Sequence, residues 1–283
     1  MNRARIGRAV GALLASLMLL GAARPADDRP VLRVADRATI PFSVMVQETA
    51  EAKFLFIGEL HGVEDHHRIQ LAVIQALHEA DVPLAVGLEM FRAEHQQELD
   101  RWIDGSLPVR DFRRFYEDNW TLPWPLYRDI FEYARDHRIP LAGLNVPGEI
   151  TRKVARSGFS SLSPEDLKKL PSGISCSVDD TYRDFIRRAH GPHGLSGGSF
   201  QYFCEAQMVW DRAMAKYLAD AAARHPTRMV VVLAGSGHAW RRGIPNQLKQ
   251  YQPSSPSRVI MPLLSGTIGD LDVTTDDADY IVR

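Results

Sequence analysis

The feature that most constrains this chain is a recurring unit in which an uninterrupted apolar run stops at glycine and an ionisable side chain. Phe54-Leu55-Phe56-Ile57 leads into Gly58-Glu59-Leu60-His61, Pro83 to Met90 carries Glu89 near its end, and Met229 to Ala234 leads into Gly235-Ser236-Gly237-His238. A strand that is apolar on both sides belongs to a sheet covered on both faces. Between these runs lie segments with helical spacing, such as Ile69, Val73, Ile74 and Leu77, and the long amphipathic stretch Ala206 to Ala223. This alternation predicts an α/β fold: a mostly parallel central sheet with helices on both faces, plus a helical or irregular insertion.

The remaining segments extend the pattern. Glu64-Asp65 open a helix, where carboxylates suit the positive end of the helix dipole. Helices are expected from about Ala93 to Ile103, over Tyr127 to Asp136, and over Glu149 to Ala155 with Gly158 as its stop. Ser163 caps a further helix with Pro164 in its first turn. Ile139 to Leu144 is a third strand reaching Asn145-Val146-Pro147, and Arg258 to Leu264 is the last. Pro108 to Pro125 reads as irregular and aromatic, with Phe112, Phe115, Tyr116, Trp120 and Trp124 crowded together. Residues 30–270 read as one domain and 271–283 as an acidic, poorly patterned tail.

At the N-terminus Arg3, Arg5 and Arg8 precede an uncharged stretch, Ala9 to Ala23. Its length of about 15 residues suits a signal-peptide core and falls short of the roughly 20 that a spanning helix needs. Residues 1–26 are therefore expected to be a signal peptide and the protein to be exported, most simply to a periplasm. No cysteine stands there to accept a lipid. Lys and Arg total 34 against 35 Asp and Glu, and no basic block interrupts the body of the chain, so nucleic acid is not an expected partner. Cys176 and Cys204 are the two cysteines. In an oxidising compartment they can bridge, closing a loop of about 30 residues worth on the order of 3–4 kcal/mol; two separate buried thiols are the alternative.

In a parallel sheet the strand C-termini share one edge, and ligands bind in the crevice outside it. Glu59, His61, Glu89 and His238 all fall at such ends. Burying a carboxylate or imidazole costs several kcal/mol unless it is paired or used, so their repetition points to a site rather than to solubility. Asn145 before Val-Pro reads as a turn residue. His66-His67 are adjacent on a helix and read as solvated surface.

Gly58-Glu59-Leu60-His61, Gly87-Leu88-Glu89-Met90, Tyr127-Arg128, Asn145-x-Pro147, Ala206-Gln207-x-x-Trp210-Asp211-x-x-Met214-Ala215 and Gly235-Ser236-Gly237-His238 resemble the ChaN family. These are bacterial haem-binding uptake proteins within the broader Tiki/TraB/erythromycin-esterase-like superfamily. The resemblance covers most of the mature chain in order. It implies an extracytoplasmic haem-binding protein of iron uptake, with haem-uptake proteins and a second copy of the chain as partners. Many ChaN-like proteins are lipoproteins, and membrane attachment does not carry over to this chain. Haem needs an apolar slot, an axial donor and polar groups for its propionates. Tyr182, His190, His193 and Tyr202 are the axial candidates, with Arg183 for a carboxylate; the absence of a c-type attachment motif makes the haem non-covalent. The superfamily's paired Gly-x-x-His elements and strand-end glutamate fall on His61, His238 and Glu89. That set also suits a divalent metal in a hydrolase, with Glu59 as general base, or metal-free acid–base hydrolysis.

Overall fold

The computed structural model describes residues 29–190, 198–263 and 273–283. Within them one sheet is built from β1 (Pro30–Arg33), β2 (Thr39–Pro41), β3 (Phe54–Glu59), β4 (Leu84–Arg92), β5 (Leu141–Asn145), β6 (Met229–Gly235), β7 (Ser257–Pro262) and β8 (Tyr280–Val282). The order across the sheet is β2-β1-β8-β7-β3-β6-β4-β5. From β8 to β5 every pair is parallel, while β1 runs antiparallel to both of its neighbours. The α/β class with a mostly parallel sheet is thus established.

The helices are α1 (Phe42–Thr49), α2 (Glu64–Glu79), α3 (Gln96–Ile103), α4 (Val109–Asn119), α5 (Trp124–Asp136), α6 (Gly148–Ser157), α7 (Pro164–Leu167), α8 (Asp180–His190), α9 (Gly198–Arg224), α10 (Ser236–Ala239) and α11 (Ile244–Leu248). Alternate residues of the central strands enter two different cores. Leu55, Ile57, Val231 and Leu233 pack into one with α2 to α5, whereas Phe54, Phe56, Val230, Val232 and Ala234 pack into the other with α8, α9 and α11. That two-sided burial is the physical reason these strands are continuously apolar. Among the described residues no helix is long and apolar enough to cross a membrane.

Three segments differ from the expectation. Pro108 to Pro125 is not irregular: it contains α4 and the start of α5. Pro108 occupies the N-cap of α4 and Pro125 the first turn of α5, positions where a missing N–H removes no helical bond. Phe112 and Tyr116, one turn apart, bury the apolar face of α4, and Phe112 stacks on Trp102 with ring centroids 4.1 Å apart. The aromatic stretch is therefore mainly core. Second, the residues read as an acidic tail include β8, inserted between β1 and β7. Third, both thiols are free, with Cys204 buried and Cys176 half-buried. Burial pushes Cys176 up to about 12 and Cys204 up to about 11, so neither is a reactive thiolate at neutral pH. The Ser163 cap forms as expected, as a reciprocal box with Asp166, and Gly158 stops α6 with φ of 80°.

Candidate functional site

The edge where β3, β6 and β4 end side by side positions the strand-end residues. Glu59 closes β3 opposite Gly235 of β6. Glu89 rides on β4, the other neighbour of β6, and His238 lies in α10 directly after β6. His61 stands in the turn between β3 and α2. Glu89 is the centre of this group. Its Oε2 accepts from the Gly235 N–H at 2.6 Å, while its Oε1 stands 3.9 Å from Nε2 of both His61 and His238. That spacing exceeds a hydrogen bond, so neither imidazole is bonded directly to Glu89.

Each imidazole is held from behind by the same kind of arm. His61 Nδ1 donates to Glu59 Oε1 at 2.6 Å, and Tyr127 Oη donates to the same oxygen. His238 Nδ1 donates to Asp211 Oδ1 at 2.7 Å, and Tyr182 Oη donates to Asp211 Oδ2 at 2.6 Å. A tryptophan edge flanks each ring, Trp120 at 4.9 Å from His61 and Trp210 at 5.7 Å from His238 between centroids. The result is two tyrosine–carboxylate–histidine arms converging on one glutamate. A carboxylate behind an imidazole fixes its tautomer and orientation. Asn145 ties the strand ends together: its side chain donates to Glu89 O at 2.7 Å and accepts from Trp210 Nε1 at 3.1 Å.

Glu59 is 1 % exposed, and its second oxygen is also engaged. Gln70 Nε2 donates to Oε2 at 2.9 Å, and His67 Nδ1 lies 3.1 Å from it. Both Glu59 oxygens are thus engaged by two neighbours each, an arrangement that orients His61 and His67. His66 and His67 are likewise not solvated surface; both are buried. His67 Nε2 donates to His61 O at 3.0 Å, and His66 Nδ1 accepts from the Leu60 N–H at 2.8 Å. Adjacent helical side chains do diverge, but here each finds its own partner in the turn that precedes α2.

Burial opposes the charge on Glu59, yet hydrogen bonds from His61 and His67 outweigh it and hold the carboxyl at about 2. Burial likewise works against His238, and the charges of Asp211 and Glu89 overcome it, raising the imidazole to about 9. His61 and His67 are raised in the same way, against burial, chiefly by the hydrogen bond to Glu59. Burial pushes Asp211 up, partly countered by His238 and Tyr182. Both tyrosines are raised by burial and by the carboxylate they serve, so they remain neutral donors.

These shifts set the pH dependence of stability. Glu59 ionises more easily folded than unfolded, so its contribution is complete above pH 4.5 and is lost as pH falls towards about 2. His238 binds its proton more tightly folded, so its contribution is complete below pH 6.5 and is lost as pH rises through about 9. Each limb is worth on the order of 3 kcal/mol. Urea midpoints are expected to peak between pH 4.5 and 6.5 and decline on both sides, with Glu59→Gln removing the acid limb. A flat profile between pH 6.5 and 9 would mean that His238 is neutral in the fold.

The haem-ligand candidates separate. Tyr182 is buried and its hydroxyl is committed to Asp211, so it supports His238 and does not face solvent. Tyr202 is half-buried on α9, its ring against Gly158. Arg183 pairs with Asp180 and donates to Gln201 Oε1 at 3.0 Å. His190 ends α8, and His193 and the expected leader at 1–26 lie outside the described residues. At the mouth of the site His61 is the accessible imidazole, with a side chain 36 % exposed against 10 % for His238. Leu60, Val63 and Leu263 are exposed apolar side chains of the same edge; Leu60 and Leu263 each lie three residues beyond the paired Ile57 and Ile260.

Among the described residues no group of three or more His, Cys, Asp or Glu is arranged to hold a metal ion. The metal set expected from His61, Glu89 and His238 therefore has no support among the described residues. Asp211, Tyr127, Tyr182 and His67 are the site residues to which sequence reasoning gave no such role. Asp211 had a readable signal, since it falls on the buried stripe Cys204, Met208, Asp211, Ala215 of α9, where an unpaired acid does not belong.

A family model described as haem-binding uptake, Tiki superfamily, ChaN matches residues 45–248. Among solved structures, ChaN of Campylobacter jejuni with cofacially bound haem is similar, with a TM-score of 0.69 and 21% identity over 90% of this chain and 96% of that chain. An erythromycin esterase in its open conformation aligns with a TM-score of 0.49 and 14% identity, over 78% of this chain and 72% of that one. Protein RETICULATA-RELATED 5, chloroplastic, of Arabidopsis thaliana is 22% identical over 233 residues, which are 76% of this chain and 32% of that protein. The chain thus spans about a third of that plant protein's length.

Proposed function

The chain belongs to the ChaN family of haem-binding uptake proteins in the Tiki superfamily, and from that premise we propose that it binds haem non-covalently and carries it outside the cytoplasm. The observation that carries this reading is the family match across 45–248 together with a carboxylate-backed imidazole at an apolar mouth. The donor set fits the group: His61 is a partly exposed imidazole whose Nε2 has no hydrogen bond to Glu89, Leu60, Val63 and Leu263 offer apolar contact, and Tyr202 offers a phenol on α9. Haem would supply an iron with an axial position to fill and two propionates. On the protein side, Glu59 makes the His61 ring more basic and fixes its direction. The basic start followed by Ala9 to Ala23 supports export.

Haemin titrated into the full mature chain is expected to give a saturable Soret shift at a fixed whole-number stoichiometry. His61→Ala and Tyr202→Phe then identify the axial donor, whichever variant abolishes the shift. Light scattering with and without haemin tells one haem per monomer from haems held between two copies. Haemin uptake without saturation, unchanged in both variants, sinks the proposal.

A second reading is favoured by Glu89 Oε1 lying equidistant from two imidazoles. Metal-free acid–base hydrolysis would have Glu89 take a proton from water while His61 gives one to the leaving group. Such acid–base residues contribute roughly 10²–10⁴-fold. Turnover of a chromogenic ester panel that survives Glu89→Gln unchanged would rule this chemistry out.

A further inference from the structure

Behind the His238 arm lies a second, mainly polar cavity of about 280 Å³, lined by Arg212 of α9, Arg242, and Asn246 and Gln247 of α11, with Ser177 and Thr181 on the facing segment. Tyr182 lines it too, and the same side chain donates to Asp211, so the cavity borders the site already described without being part of it.

Its two guanidinium groups are incompletely satisfied. Arg212 donates to Ser175 O at 2.8 Å, to Ser175 Oγ, and to Gln247 Oε1 at 3.2 Å. All three acceptors are neutral, and among the described residues no carboxylate is paired with this guanidinium. Arg242 faces Asp276 only across 3.7 Å, and that aspartate is 80 % exposed; a pair of this kind contributes little. Among the described residues the buried Arg242 Nε has no hydrogen-bond partner, which a buried donor rarely tolerates. The acid that lines the cavity, Asp179, is occupied in accepting the Tyr182 N–H at 2.7 Å at the start of α8. Two guanidinium forks, the amides of Asn246 and Gln247 and two hydroxyls therefore line the space, against one lining carboxylate, Asp179, that is turned to the start of α8.

We propose that this cavity is a binding site for a small oxygen-rich anion, held by Arg212 and Arg242. Planar guanidinium forks match carboxylate and phosphate oxygens in two-point contact, and amide and hydroxyl donors complete the shell. The volume lies just below that of drug-sized pockets, which limits the ligand to inorganic phosphate or a short carboxylic acid. A porphyrin does not fit, so the site is separate from haem carriage.

The test is calorimetric titration of the full mature chain with succinate and, separately, inorganic phosphate, at constant ionic strength balanced with chloride. One of the two is expected to bind saturably at one per chain, and which one identifies the anion. Arg242→Gln and Arg212→Gln are each expected to weaken binding at least tenfold while leaving the haemin titration unchanged. Asn246→Asp, at an exposed position, places a competing carboxylate at the rim and is expected to abolish binding; it decides the matter alone if Arg212→Gln does not fold. Absence of saturable binding of either anion, or equal binding by wild type, Arg242→Gln and Asn246→Asp, overturns the proposal.

Discussion

Asp211→Ala is expected to destabilise the protein by about 3–5 kcal/mol, the cost of breaking a buried ion pair from one side. Asp211 is fully buried, accepts from His238 at 2.7 Å, and takes the Tyr182 hydroxyl on its other oxygen. Its removal leaves the buried His238 ring without its hydrogen-bonded carboxylate, with only Glu89 at 3.9 Å, and a buried phenol without an acceptor, and each orphan adds its own desolvation penalty. For a chain of this size the thermal midpoint should fall by about 10 °C. His238 should also lose its raised pKa, because burial then acts without its main opponent. Urea denaturation with an unchanged m-value measures the first effect and imidazole titration by NMR the second. Asp211→Asn, which keeps an acceptor and the shape, should cost distinctly less. A loss below about 1 kcal/mol for Asp211→Ala, the size of an ordinary surface change, would show that the pair is not ionised.

Gly235→Ala should leave the fold standing and disable the site. A Cβ at this position would lie 2.7 Å from His61 Cε1 and 2.9 Å from its Nε2. The imidazole would have to swing away from Glu59, giving up the bond that aims it. If His61 holds the iron, haemin affinity should fall at least tenfold, about 1.4 kcal/mol. Gly58→Ala is the matched control. Its nearest obstacles are Met261 Sδ and Cε, both at 2.6 Å, and a thioether chain can move aside. Equal behaviour of the two variants would mean that His61 tolerates displacement and is not held in a working position.

What the sequence disclosed, and what it hid, follow from how each residue is buried. The central strands were readable because both of their faces are covered, which forces apolar runs and makes Glu59, Glu89 and His238 conspicuous where those runs stop. The arms behind them were not readable in the same way. Tyr127, Tyr182, His67 and Asp211 sit on helices, where one polar residue on an apolar stripe resembles an imperfect amphipathic pattern. Their partners are remote in sequence: Tyr127 reaches Glu59 across 68 positions, and Asp211 reaches His238 across 27. Helix α4 was masked by flanking prolines that open helices rather than end them. The short strands β1, β2 and β8, three or four residues each, are too brief to establish a period of two.

The position of β8 has a consequence for how the molecule assembles. Val31 pairs with Val282, and Ile260 with Tyr280, so one side of the sheet is completed by segments some 250 positions apart, contacts of a separation that slows folding. Until residues 280–282 arrive, β7 exposes an unpaired margin of the type that templates aggregation. The pairing of β1 with β8 therefore forms only when both ends of the described chain are present, which makes the two ends one cooperative unit.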